Sequence, residues 1–182
     1  MNEQANQIFK KICEINDSVA TIPVNEIGFY PSLRSLCEMN SCGAYGKNYT
    51  CPPLIGEIDD LIEKVKSYDT AIIFRAFYLL EDSFDIEGMN EGSSQFKQLT
   101  YQAFDIAKNI SPDSLVLGAG GCRLCEKCGA AENIPCRHPD RAISSLEGHG
   151  IQVSELASQV GMKYISGQNT VTYFGAVFVP AK

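Results

Sequence analysis

The chain contains no tryptophan, and its only histidines are His138 and His149. No indole N–H is therefore available as a donor, and so few imidazoles exclude a histidine-rich hydrolytic metal centre. Basic clusters are missing too. With 15 Lys and Arg against 22 Asp and Glu, the formal net charge is -7, which argues against nucleic acid as a partner, since phosphate backbones reward grouped cations. Long apolar runs are also absent. The longest, Ala71 to Leu80 with Arg75 inside it, is about half of what a membrane span needs, and the opening MNEQANQIFKK lacks the apolar core of a signal peptide. There is no G-x-x-x-x-G-K-[ST] for a phosphate loop, no G-x-S-x-G and no Ser–His–Asp set. Gly118-Ala119-Gly120-Gly121 resembles a dinucleotide loop only superficially, because it runs into cysteines and not into a helix. What remains is the expectation of a soluble cytoplasmic protein, in a compartment that keeps thiols reduced.

Cysteine is what the chain has in quantity. Seven of its eight cysteines form two compact groups. One is Cys122-x2-Cys125-x2-Cys128-x7-Cys136, within GGCRLCEKCGAAENIPCRHP. The other is Cys37-x4-Cys42-x8-Cys51, within CEMNSCGAYGKNYTCPP. In a reducing compartment such groups point to metal ligands or redox centres, and two-residue spacing suits disulfides poorly. Consecutive CxxC steps followed by a fourth Cys near a proline are the arrangement of bacterial ferredoxins, so Cys122, Cys125, Cys128 and Cys136 are expected to hold a 4Fe–4S cluster. Zinc is the alternative, although zinc sites usually pair two knuckles across a longer gap. Arg123, Lys127, Arg137 and His138 lie among these ligands and could offset cluster charge. Cys37, Cys42 and Cys51 are expected to ligate a second metal. They form either a structural site closed by a distant residue, such as Cys13, His138 or a member of the other group, or a second cluster with one iron left open. The CxxxCxxC spacing of radical enzymes is not present.

At 182 residues the chain fits one domain, taken as 1–182. Ala5, Ile8, Phe9, Ile12 and Ile15 predict an amphipathic opening helix, with Cys13 beside its stripe as a small buried hydrophobe. Val19 to Ile27 reads as a strand that Pro23 places at an edge. The first cysteine group reads as an extended loop, and Ile58, Leu61, Ile62, Val65 and Tyr68 as a helix. Thr70 to Leu80 predicts a strand buried on both faces. Glu81 to Gly92 reads as a surface excursion, before a helix capped by Ser93 or Ser94. Ser114 to Leu117 is a short strand, Pro139 opens a short helix carrying Ala142, Ile143 and Leu146, Ser154 caps another, and Thr170 to Val179 is the last strand. His149, between two glycines and without a second partner, reads as a surface or internally satisfied residue and not as a ligand. The predicted class is mixed α+β: a mixed sheet of about four to five strands, helices packed on it and the cysteine-rich loops at its end.

Four segments carry a family resemblance: Cys42-Gly43-Ala44-Tyr45-Gly46 leading to Cys51-Pro52-Pro53, Gly120-Gly121-Cys122-Arg123-Leu124-Cys125, Pro135-Cys136-Arg137-His138-Pro139, and Ser145 to Ile151. Together with the closing NTVTYFGAVFV they resemble the predicted metal-binding proteins of the DUF2284 family. The resemblance implies small cytoplasmic proteins of anaerobic bacteria and archaea that bind metal through these cysteines, with no activity attached. Tyr49 stands where the family often has tryptophan before Cys-Pro-Pro. An aromatic wall survives that change; an indole hydrogen bond does not. The function expected on these grounds is an iron–sulfur protein moving electrons to or from an anaerobic enzyme system through a redox partner protein. The alternatives are a zinc-stabilised binding module, and a redox enzyme or metal-delivery protein acting at the first cysteine group.

Overall fold

The structure, a computed structural model, describes residues 1–181. Helix α1 (Glu3–Cys13) starts where the Asn2 side chain accepts the Ala5 N–H at 2.9 Å, and it buries Ala5, Ile8 and Ile12 on one face. That stripe ends with the helix. Cys13 and Ile15 are exposed, so Cys13 is not the buried hydrophobe its neighbours suggest. Strand β1 (Val19–Pro23) stops at the proline, which has no N–H to continue a ladder, and a 3-10 turn over Val24–Glu26 takes the place of the predicted strand end. Short helix α2 (Arg34–Glu38) carries Cys37, where an extended loop was expected. Helix α3 (Ile58–Lys66) buries Ile62 and Val65.

Strand β2 (Thr70–Leu79) leads into helix α4 (Ile86–Ile110), which begins well before Ser93. Asp85 supplies the cap instead, accepting the Gly88 N–H at 2.8 Å. Gly92 inside α4 has a packing reason: a Cβ there would come within 2.8 Å of the Tyr78 ring. Strand β3 (Leu115–Gly118) follows, then β4 (Ser144–Ser145), α5 (Val153–Gln159) and β5 (Thr170–Val179). The helix predicted after Pro139 is only a 3-10 turn, Pro139–Arg141. Ile143 and Leu146 enter opposite cores, a strand's placement and not a helix face. Helix α5 starts after Gln152 with no side-chain cap, so Ser154 lies inside it.

The five strands form one mixed sheet in the order β1-β2-β5-β3-β4, with β3 and β4 parallel and the other neighbours antiparallel. Side chains alternate along the central strands. Ala71, Ile73, Phe174, Ala176 and Phe178 enter a core with Val65 of α3 and Leu156 of α5. Ile72, Phe74, Val177 and Val179 enter the other, with Ile8 of α1 and Phe96 of α4. Only the first half of β2 is buried on both faces, because β1 pairs no further than Phe74. Beyond it β2 and β5 continue as a two-stranded ribbon on which Phe77 and Leu79 are exposed. Neither core contains a cysteine among the described residues. No helix among them is long and apolar enough to cross a membrane.

Candidate metal centre

Strands β3 and β4 lie side by side in register, Leu117 opposite Ser144 and Gly118 opposite Ser145. Everything between them is expelled from the sheet at that end as one loop, residues 119–143, which holds all four cysteines of the second group. The loop is braced from within. A 3-10 turn over Gly129–Glu132 follows Cys128, whose carbonyl accepts the Ala131 N–H at 3.0 Å. Asn133 turns the chain back in the left-handed region at φ 57°, and the Ile134 N–H reaches the Gly129 carbonyl at 3.0 Å. Arg137 donates to the Lys127 carbonyl at 3.1 Å and pairs with the Glu132 carboxylate, holding the Cys136 limb against the Cys125–Cys128 limb.

A cavity of about 330 Å³ opens inside this loop, and its wall includes Cys122, Cys125, Cys128 and Cys136, with Tyr49 and His138. A second cavity of about 720 Å³ lies beside it, walled by Cys37, Cys42, Cys51, Cys122 and Arg123. Along one side, an open groove of about 990 Å³ exposes Cys42, Cys122, Cys125 and Cys128. The structure thus gathers the seven grouped cysteines at one end of the sheet. All eight thiols are free. Among the described residues no three His, Cys, Asp or Glu side chains are drawn together closely enough to hold a metal ion as they stand; the thiols line cavities and do not meet at a point. Cys13, at the far end of α1, lines neither cavity. His138 faces the second group's cavity and caps no helix with its side chain. His149 is only 3% exposed, so it is not at the surface, and its Nδ1 is satisfied 3.1 Å from the Ser145 carbonyl.

The two cysteine groups are joined by polar contacts that spacing alone does not reveal. The Thr50 hydroxyl oxygen accepts the Cys122 N–H at 2.8 Å, and the Asn48 amide donates to the Cys122 carbonyl at 2.7 Å. Asn48 Oδ1 in turn accepts both the Thr50 N–H and the Thr50 hydroxyl at 3.0 Å. Tyr49 donates its hydroxyl to the Ile134 carbonyl at 2.9 Å, which ties this aromatic of the first segment to the second group's loop. From α4, Lys97 donates to the Gly121 carbonyl at 3.0 Å. Burial pushes the Lys97 amine down, with Arg123 acting in the same direction and the Cys122 and Cys51 thiols opposing it. Burial likewise pushes the Cys37 and Cys51 thiols up, and Cys51 is raised further by Cys42, Cys37 and Cys128. Tyr101 is raised by burial and then by Cys122. Asn48 and Thr50 stand within the first cysteine segment, but nothing in the sequence separates them from ordinary loop residues. Lys97 and Tyr101 come from a distant helix and leave no local signal.

The donor set is soft. Among the described residues no carboxylate lines the 330 Å³ cavity, so its donors suit iron–sulfur, zinc or another thiophilic metal better than magnesium or calcium. A family model described as a predicted metal-binding protein, DUF2284, matches residues 20–179. The chain belongs to this family. The match takes in all seven grouped cysteines of the DUF2284 chain and leaves out α1 and Cys13, which the geometry also separates from the site. No curated protein and no solved structure matches the chain.

Proposed function

We propose that this DUF2284 protein is an iron–sulfur protein of the cytoplasm that carries electrons for an anaerobic enzyme system. Cys122, Cys125, Cys128 and Cys136 hold a 4Fe–4S cluster, and Cys37, Cys42 and Cys51 hold a second metal centre. The observation that carries this reading is the common cavity lined by the four thiols of the second group. Four thiols supplied by consecutive CxxC steps suit a cluster better than one tetrahedral ion, whose sites usually pair two knuckles across a longer gap. A cluster bound there would take one electron from a reduced partner protein and give it to an oxidised one. The chain's own residues set the conditions for that exchange. The four thiols are half-buried, near enough to the surface for a partner to approach. Arg137 stands beside Cys125 and places positive charge next to the thiolates, which favours the reduced, more negative state.

Anaerobic purification after iron-replete expression tests the reading. Brown protein with about four iron and four sulfide per occupied cluster is expected. One tightly bound zinc and no iron would overturn it.

A further inference from the structure

Seven thiols face two adjoining cavities, yet two closed cubanes ask for four thiolates each. Cys122 stands in both walls, with Cys125, Cys128 and Cys136 on one side and with Cys37, Cys42 and Cys51 on the other. Although it belongs to the second group in sequence, its backbone is held by the first group's loop: Thr50 takes its N–H and Asn48 its carbonyl. Thr50 is 7% exposed, so this clamp is sheltered from water. The chain just before Cys122 also runs hard against the first group. A Cβ on Gly121 would fall 2.9 Å from Cys51 Sγ, so any side chain there would have to push that sulfur aside. The Lys97 ammonium, bound to the Gly121 carbonyl, brings positive charge to this junction.

We propose that the Cys122 thiolate is shared, ligating the centre of its own group and also closing the centre held by Cys37, Cys42 and Cys51. A deprotonated cysteine sulfur carries more than one lone pair and can bind two metal ions at once. Shared in this way, seven sulfurs fill the positions of two four-thiolate centres, and neither keeps an open iron. Cys13 and His138 are not needed. This inference rests on the reading of the two groups as metal centres, and it makes those centres direct neighbours through one sulfur atom.

The test uses the full-length, anaerobically purified protein, with iron, sulfide and zinc analysis and with Mössbauer and electron paramagnetic resonance spectra. Cys37→Ala should alter one centre and Cys136→Ala the other, whereas Cys122→Ala should alter both. Added cyanide should leave the wild-type spectra unchanged and perturb those of Cys122→Ala. If Cys122→Ala leaves the Cys37/Cys42/Cys51 centre intact, if cyanide binds the wild type, or if the wild type carries only one centre, sharing is overturned. Should Cys122→Ala fail to fold, Cys122→Ser decides by Mössbauer spectroscopy: oxygen-ligated iron in both centres supports sharing, and in one centre alone refutes it. Zinc in place of iron would defeat the iron–sulfur reading and leave sharing to be judged by whether Cys122→Ala loses metal from both sites.

Discussion

Thr50 does two jobs with one oxygen: it accepts the Cys122 N–H and donates to Asn48 Oδ1. Thr50→Val keeps the shape and removes both bonds, leaving the Cys122 N–H without its acceptor. We expect a loss of about 1–2 kcal/mol, the usual cost of stranding a shielded polar group, seen as a lower thermal midpoint. Metal should also leave faster in a chelator challenge, because the loop bearing Cys122 loses its anchor. A valine variant that keeps both the midpoint and the metal off-rate would show that the clamp is idle. At this scale the sequence exposes the cysteines, whose spacing is itself a chemical statement, and hides their supports. A threonine two residues before a loop proline looks like any other turn residue, and Lys97 reaches the site only because α4 packs behind it.

Between β4 and α5 the 3-10 turn Glu147–His149 buries an imidazole. Since a carbonyl only accepts, Nδ1 carries the proton that faces Ser145, and the ring is neutral. Burial holds its pKa down at about 4, from an ordinary 6.5, and the Lys64 and Arg34 cations add to the effect. Between those two values the unfolded chain binds a proton that the folded chain refuses. Stability therefore falls as pH drops from about 6.5 towards about 4 and is unaffected by this group above that window. The slope is at most ~1.4 kcal/mol per pH unit. Denaturant titrations of wild type and His149→Gln across this range should diverge, the variant losing less on acidification; parallel curves would exclude His149 as the cause. Elements were legible where one periodicity dominated, as in α1, α3, β2 and β5. They were misread where a capping residue or a change of face decided the outcome: Asp85 starts α4 early, and Ile143 and Leu146 separate onto two cores.

The described residues divide into a sheet whose two cores contain no cysteine and a cysteine-bearing cap made of α2 with the loop after it and the loop between β3 and β4. Metal removal should therefore loosen the cap and spare the sheet. Hydrogen exchange after anaerobic chelation is expected to speed up over residues 37–56 and 119–142 while β2, β5 and α4 stay protected; global unfolding would show that metal holds the fold. A mixed sheet with helices on it could be inferred from the alternation of apolar runs, but the strand order could not, because it depends on where the last segment inserts. That insertion governs the order of biosynthesis. Strand β5 lies between β2 and β3, so β3 has no place in the sheet until Thr170–Val179 have been made. Cys37, Cys42 and Cys51 thus leave the ribosome long before Cys122 can be seated on Thr50, 72 positions away. The clamp that joins the two cysteine loops is therefore expected to close late, after Thr170–Val179 have taken their place in the sheet.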